Sequence, residues 1–244
     1  MLEIIIIICI ILILLIILRK FPYKIEKDSF LKIKSPHDVT DERDKDKLVK
    51  EKKLLELDEK TKKLNQLIKK ATSYFKNKDY KNAEKLFIEA IKINPHNSQA
   101  YNGLGVIYLE KENYKDAEEA FKEAIKHDSN NALYYNNLGL ALYNQEFYKR
   151  AIKAYKKSVN LDNSEAKRYI NLGLAYKAIN NYHRAADSFN KAVLLDPDNL
   201  EYLKLEASML IKSHNFRKAR KVLNHILKLD PENKEAQREL LRLK

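Results

Sequence analysis

The segment NYKDAEEAFKEAI at 113–125 decides the fold, because the chain writes it five times. DYKNAEKLFIEAI stands at 79–91, FYKRAIKAYKKSV at 147–159, NYHRAADSFNKAV at 181–193 and NFRKARKVLNHIL at 215–227. Each copy begins 34 residues after the one before. Inside each copy the apolar residues return at spacings of three and four, which places them on one face of a helix. One amphipathic helix cannot bury its stripe alone. A chain that repeats it at a fixed period buries it against its own neighbours, as stacked helical hairpins do.

Set in a frame of 98–131, the unit carries Tyr101, Leu104, Gly105, Tyr108, Tyr114, Ala117, Phe121, Ala124 and Ser129. Unit 132–165 carries Tyr135, Leu138, Gly139, Leu142, Tyr148, Ala151, Tyr155 and Ser158, and unit 166–199 carries Tyr169, Leu172, Gly173, Tyr176, Tyr182, Ala185, Phe189, Ala192 and Pro197. This pattern resembles the tetratricopeptide repeat, whose motif runs W-x2-L-G-x2-Y, then A-x3-F, then P. The outer units are less regular. In 64–97, Lys70 replaces the motif Leu beside Ala71, Tyr74, Tyr80, Ala83, Phe87, Ala90 and Pro95; in 200–233, Glu206 does so beside Leu203, Ala207, Leu210, Phe216, Ala219, Leu223 and Pro231. Terminal repeats lose a neighbour on one side, so departures are expected there.

The resemblance implies an all-α, right-handed solenoid of about five helix-turn-helix units over 64–233. Residues 234–244, with Ala236, Leu240 and Leu241 on one face, form a capping helix for the open end. The residues agree with this without the family name. Gly and Ala recur where two helices must approach closely, and Pro95, Pro197 and Pro231 fall where the second helix must stop. Between 39 and 94 there is neither Pro nor Gly, so 39–63 reads as a charged helical extension running into the first unit. Its alternative is a dimerising stalk, on two and a half heptads of Leu54, Leu57, Thr61, Leu64, Ile68 and Ala71.

Residues 4–18 are fifteen unbroken apolar residues, followed at once by Arg19 and Lys20. Counted from Met1 the run spans about 27 Å as a helix, close to the roughly 30 Å hydrocarbon core, and flanking basic side chains can lengthen it. No basic residue precedes the run and no small-residue cleavage site follows, so 1–20 reads as an uncleaved transmembrane anchor and 21–38 as a juxtamembrane linker. Six Lys or Arg between 19 and 34 place the C-terminal side in the cytoplasm, giving a single-pass membrane protein with cytoplasmic repeats.

With one cysteine, Cys9, and six scattered histidines, the chain offers no metal site or disulfide framework, and no cofactor is expected. Nucleophile elbows, phosphate loops and zinc-helix motifs are absent, so it does not read as an enzyme. The net charge of +13 leaves an alternative, a basic repeat protein associated with nucleic acid or anionic lipid. Aligned on the repeat, Lys81, Lys115, Lys149, His183 and Arg217 form a basic edge stripe.

In the family that the repeats resemble, the first helices of the units line a concave groove that holds a peptide or helix of a partner. The positions that would face it are Gln99, Asn102, Val106 and Leu109 in one unit, Asn136, Asn137, Leu140 and Tyr143 in the next, and Lys167, Ile170, Asn171, Leu174 and Lys177 in the third. Asn102, Asn136, Asn137 and Asn171 form a polar ladder beside an apolar row of Val106, Leu140 and Leu174. A side-chain amide both donates and accepts, so such a ladder suits a partner's backbone. Lys167 and Asn137 match a carboxylate clamp, but Asn102 and Val106 stand where its first half belongs, so an acidic C-terminal tail is not the implied ligand. The sequence thus describes a membrane-anchored protein-interaction scaffold.

Overall fold

The computed structural model describes residues 42–243. The anchor expected at 1–20 and the linker expected at 21–38 lie outside the described residues. Among those residues no helix is long and apolar enough to cross a membrane.

The chain divides into two compact units, Met1–Asp58 and Glu59–Lys244. Among the described residues there are helices and turns but no strand. Helix α1, Glu42–Lys76, has no break between its charged N-terminal half and the first repeat. In the first compact unit its Leu48, Val49, Leu54, Leu55 and Leu57 are exposed. The second unit holds the array: α2 (Tyr80–Ile93), α3 (Ser98–Glu110), α4 (Tyr114–His127), α5 (Ala132–Asn144), α6 (Tyr148–Leu161), α7 (Ala166–Ala178), α8 (Tyr182–Leu195), α9 (Leu200–Lys212), α10 (Phe216–Leu229) and α11 (Lys234–Arg242). The C-terminal part of α1 and helices α3, α5, α7 and α9 are the A helices; α2, α4, α6, α8 and α10 are the B helices. Helices α3, α5, α7 and α9 each pack on the B helix of their own unit, and from α2 onward each B helix packs on the helix that follows it. The C-terminal part of α1 shares an apolar cluster with Ala83, Phe87 and Ala90 of α2 through Leu64, Leu67, Ile68 and Ala71. Successive A helices α3, α5 and α7 also touch, whereas the backbones of successive B helices do not approach as closely.

The glycine and the aromatic of each motif explain that packing together. A Cβ built on Gly105 would stand 2.5 Å from the Phe121 ring, one on Gly139 2.5 Å from Tyr155, and one on Gly173 2.4 Å from Phe189. The three rings are at most 1% exposed, so each fills the space that its glycine leaves empty. In the first unit the glycine position is Ala71, and Phe87 lies instead under Gly103 of the following A helix. Ala83, Ala117, Ala151, Ala185 and Ala219 are fully buried on the B helices, where nothing larger fits.

The turns repeat as faithfully as the helices. Each A helix ends with a left-handed residue, at Lys78 (φ 61°), Glu112 (57°), Glu146 (62°), Asn180 (57°) and His214 (59°). Around Glu146 the Glu146 N–H bonds to the Tyr143 carbonyl at 2.9 Å and the Phe147 N–H to the Leu142 carbonyl at 2.9 Å. The same pair of bonds closes the other four turns and satisfies the last carbonyls of each A helix. The next residue starts the B helix. Asp79, Asn181 and Asn215 cap it by accepting from a backbone N–H three residues on, whereas Phe147 has no such side-chain bond. Asn97, Asn199 and Asn233 cap α3, α9 and α11 in the same way, Asn131 caps α5 by accepting from the Leu133 N–H two residues on, and Glu165 before α7 makes no such bond.

The irregular terminal positions resolve differently. Lys70 is exposed, but Glu206 is buried, and Asn190 donates a 2.9 Å hydrogen bond to its carboxylate from α8. Burial holds the Glu206 carboxyl above its usual range, against the opposing effects of Asn190 and the Lys218 charge.

Candidate functional site on the face of the A helices

The A-helix face begins from neutral material. Helix α5, ALYYNNLGLALYN, contains no charged residue, and α3 contains only Glu110. Asn102, Asn136, Asn137 and Asn171 are all half-buried on this face. They meet in pairs across the seams between units. Asn137 donates through Nδ2 to Asn102 Oδ1 at 2.9 Å, and Asn171 donates through Nδ2 to Asn136 Oδ1 at 2.9 Å. The rule is regular: the sixth residue of one A helix bonds to the fifth of the A helix before it. Gly103 and Ile170 occupy those places at either end, so the rungs stop after two. Each rung uses one N–H and one lone pair, leaving the remaining amide groups for a partner or for water. The ladder is therefore structural as well as available.

The apolar row is half-buried too. Val106 packs with Leu109 on the Ala117, Phe121 and Ala141 cluster, and Ile170 and Leu174 pack on the larger cluster around Tyr155 and Phe189. Leu140 is half-buried, and Tyr143 sets its ring edge-on to Tyr148, with centroids 5.3 Å apart. Lys167 and Lys177 are exposed at the two ends of α7.

Two clefts open on the same face, and of the residues lining them the sequence reading had placed Gln99 alone. At the N-terminal end a shallow groove of about 440 Å³ is lined by Ile68, Thr72, Lys76 and Gln99 among others. At the C-terminal end a narrower cleft of about 230 Å³ has Ala207, Ile211, Leu223 and Ile226 in its wall and Lys204, Lys212, Glu235 and Glu239 around it. Both sit at the repeat positions that face the groove in the middle units. The signal that finds them is the same alignment carried to the outer units, where Thr72, Ser73, Ala207 and Ser208 are small.

The geometry defines an α-solenoid of helical hairpins with its A helices on one face. Family profiles of the tetratricopeptide repeat match residues 74–139, 132–164 and 166–199, so these hairpins are tetratricopeptide repeats. Repeats of this kind build protein-interaction scaffolds. Among solved structures, YrrB, a TPR protein with an unusual peptide-binding site, is 21% identical with a TM-score of 0.60, covering 71% of this chain and 89% of its own. MamA is 19% identical with a TM-score of 0.63, covering 72% and 96%. PilF of Pseudomonas aeruginosa is 22% identical with a TM-score of 0.62, covering 75% and 84%. These likenesses establish the fold. No curated protein matches the chain.

Proposed function

We propose that this chain is a membrane-tethered scaffold that holds a peptide or helix of a partner protein along its A-helix face, without catalysis of its own. The observation that carries the reading is the face itself, a strip of paired asparagines and half-buried apolar side chains running between two open clefts. A segment presenting backbone amides and apolar side chains gains hydrogen bonds and burial together. Asn102, Val106, Asn136, Asn137, Leu140, Tyr143, Lys167, Asn171, Leu174 and Lys177 are the contact residues of this reading. The tether is supported by the apolar run at 4–18 with its basic flank, and the same flank supports a cytoplasmic array.

The test is site-specific photocrosslinking in cells. A photoreactive residue at Leu140 or Ile211 should capture a partner that one at Lys153, on a B helix, does not. Capture only from Lys153 would overturn the assignment of the face. Separately, the full chain should stay with membranes through a carbonate wash; release by that wash would refute the tether and leave the groove untouched.

A further inference from the structure

The outward surface of the B helices has a composition that neither the fold nor the groove requires. The second, sixth, ninth and thirteenth residues of a B helix lie within about 60° of one another around its axis, at 100° per residue. In all five B helices every one of these twenty residues is exposed. Twelve are Lys or Arg and two are acidic, so most of the chain's +13 stands on this stripe. Helices α6 and α10 contain five Lys or Arg each and no Asp or Glu. Ion pairing explains only a little of it. Lys122 meets Glu118 at 2.6 Å and Lys126 meets Glu123 at 2.9 Å. Lys149, Lys153, Lys156, Arg217, Lys221 and Lys228 make no ion pair among the described residues. Of the two acids, Asp187 faces His183 at 3.2 Å.

Two further side chains select the partner. Leu194 is 71% exposed and Ile88 38% exposed, and both stand in this stripe, Ile88 beside Lys81, Lys85 and Lys92 and Leu194 on α8, which adds no Lys or Arg to it. Exposed aliphatic side chains set in a basic surface suit a bilayer interface, where the charges meet lipid phosphates and the aliphatic groups enter the acyl boundary. None of the twenty is Phe, Tyr or Trp, and His183 is the one ring among them, so the stripe has no row of rings on which successive bases could stack. We infer that the outer stripe of the B helices docks the array side-on against an anionic lipid surface, leaving the A-helix face turned away for its partner. The inference stands on the stripe alone and holds whether or not residues 1–20 anchor the chain.

The experiment uses the full chain with Cys9→Ser and Leu194→Cys, the new thiol carrying a fluorophore, mixed with vesicles whose lipids bear a quencher. Quenching should appear with vesicles containing phosphatidylglycerol, weaken in high salt, and be absent with phosphatidylcholine alone. At roughly fivefold per basic residue near such a surface, Lys149→Glu with Lys153→Glu and Lys156→Glu should weaken the quenching response at least about 100-fold in lipid concentration. A circular dichroism spectrum equal to the parent's shows that the variant is folded. Sedimentation of the chain with phosphatidylcholine vesicles in high salt reports the tether separately. A probe unquenched by anionic vesicles overturns the inference, as does equal quenching of the triple variant. Displacement of the parent from vesicles by a duplex oligonucleotide at matched phosphate concentration would assign the stripe to nucleic acid instead, and would overturn it too.

Discussion

Replacing Gly139 by Ala sets two effects of opposite sign against each other. In a helix interior, Gly→Ala ordinarily stabilises by about 0.5–1 kcal/mol, since Ala loses less conformational freedom on folding. Here the new Cβ would stand 2.5 Å from the Tyr155 ring. Ordinary carbon contacts lie at about 3.5–4.0 Å, so ring or helix must retreat by roughly 1 Å. The ring is 1% exposed and has no open side to retreat toward. Overpacking of this kind costs about 1–3 kcal/mol, which outweighs the gain in helix propensity and leaves a net loss of about 1–2 kcal/mol. Urea unfolding followed by circular dichroism measures it, as a lower midpoint. The specific cause is tested in a Tyr155→Leu background. Removing the ring should recover at least about 0.5 kcal/mol of the Gly139→Ala cost, a coupling that distant sites do not show. A Gly139→Ala protein as stable as its parent, or a cost unchanged by Tyr155→Leu, would refute the account of why the glycine recurs.

Glu146→Gly should raise stability by up to about 1 kcal/mol, because a left-handed backbone costs an L-residue about 1–2 kcal/mol and glycine returns only part of that through its freer unfolded state; Asn180→Gly should gain less, since Asn tolerates that conformation, and thermal melts compare the two. Asn137→Ala with Asn171→Ala should remove two inter-unit hydrogen bonds, lowering stability by about 1–3 kcal/mol while also reducing partner capture at the A-helix face. Glu206 binds its proton more tightly folded than unfolded, so its carboxyl favours the fold at low pH and disfavours it as pH rises through the raised folded pKa. Glu206→Gln, which can still accept from Asn190, should therefore melt higher than the parent at neutral pH, and the difference should fade below about pH 4. A difference that grows on acidification would contradict the burial of that carboxylate.

The hairpins and their stacking were legible because two residue types carry them jointly. A glycine in one helix and an aromatic sixteen residues on mark a close approach whatever the surroundings. The asparagines were less legible. Their abundance looks compositional until the helix boundaries are known, since capping depends on the backbone angles of one residue. Asn102, Asn136, Asn137 and Asn171 could be placed on one face from their spacing. That the sixth residue of one A helix would reach the fifth of its predecessor depends on the rotation between units, which no local pattern encodes. The left-handed turns left no trace, because none of the five is glycine. The terminal clefts were missed for a plainer reason: small residues leave space only when the neighbouring helix is in place.

Those five turns have a consequence for how the array comes apart. In a linear stack, stability is a sum of what each hairpin holds by itself and what each seam adds. A left-handed side-chain-bearing residue lies inside each hairpin, between its two helices, and weakens that hairpin, least at Asn180, since Asn tolerates the conformation. Shifting the balance toward the seams lengthens the stretch that must unfold together, because a hairpin that has lost a neighbour has little stability left to stand on. Unfolding that starts at one end then tends to run through rather than stop at a frayed intermediate. A binding face assembled from consecutive units is useful only when all of them are present, and the strained turns bias the chain toward having it whole or not at all.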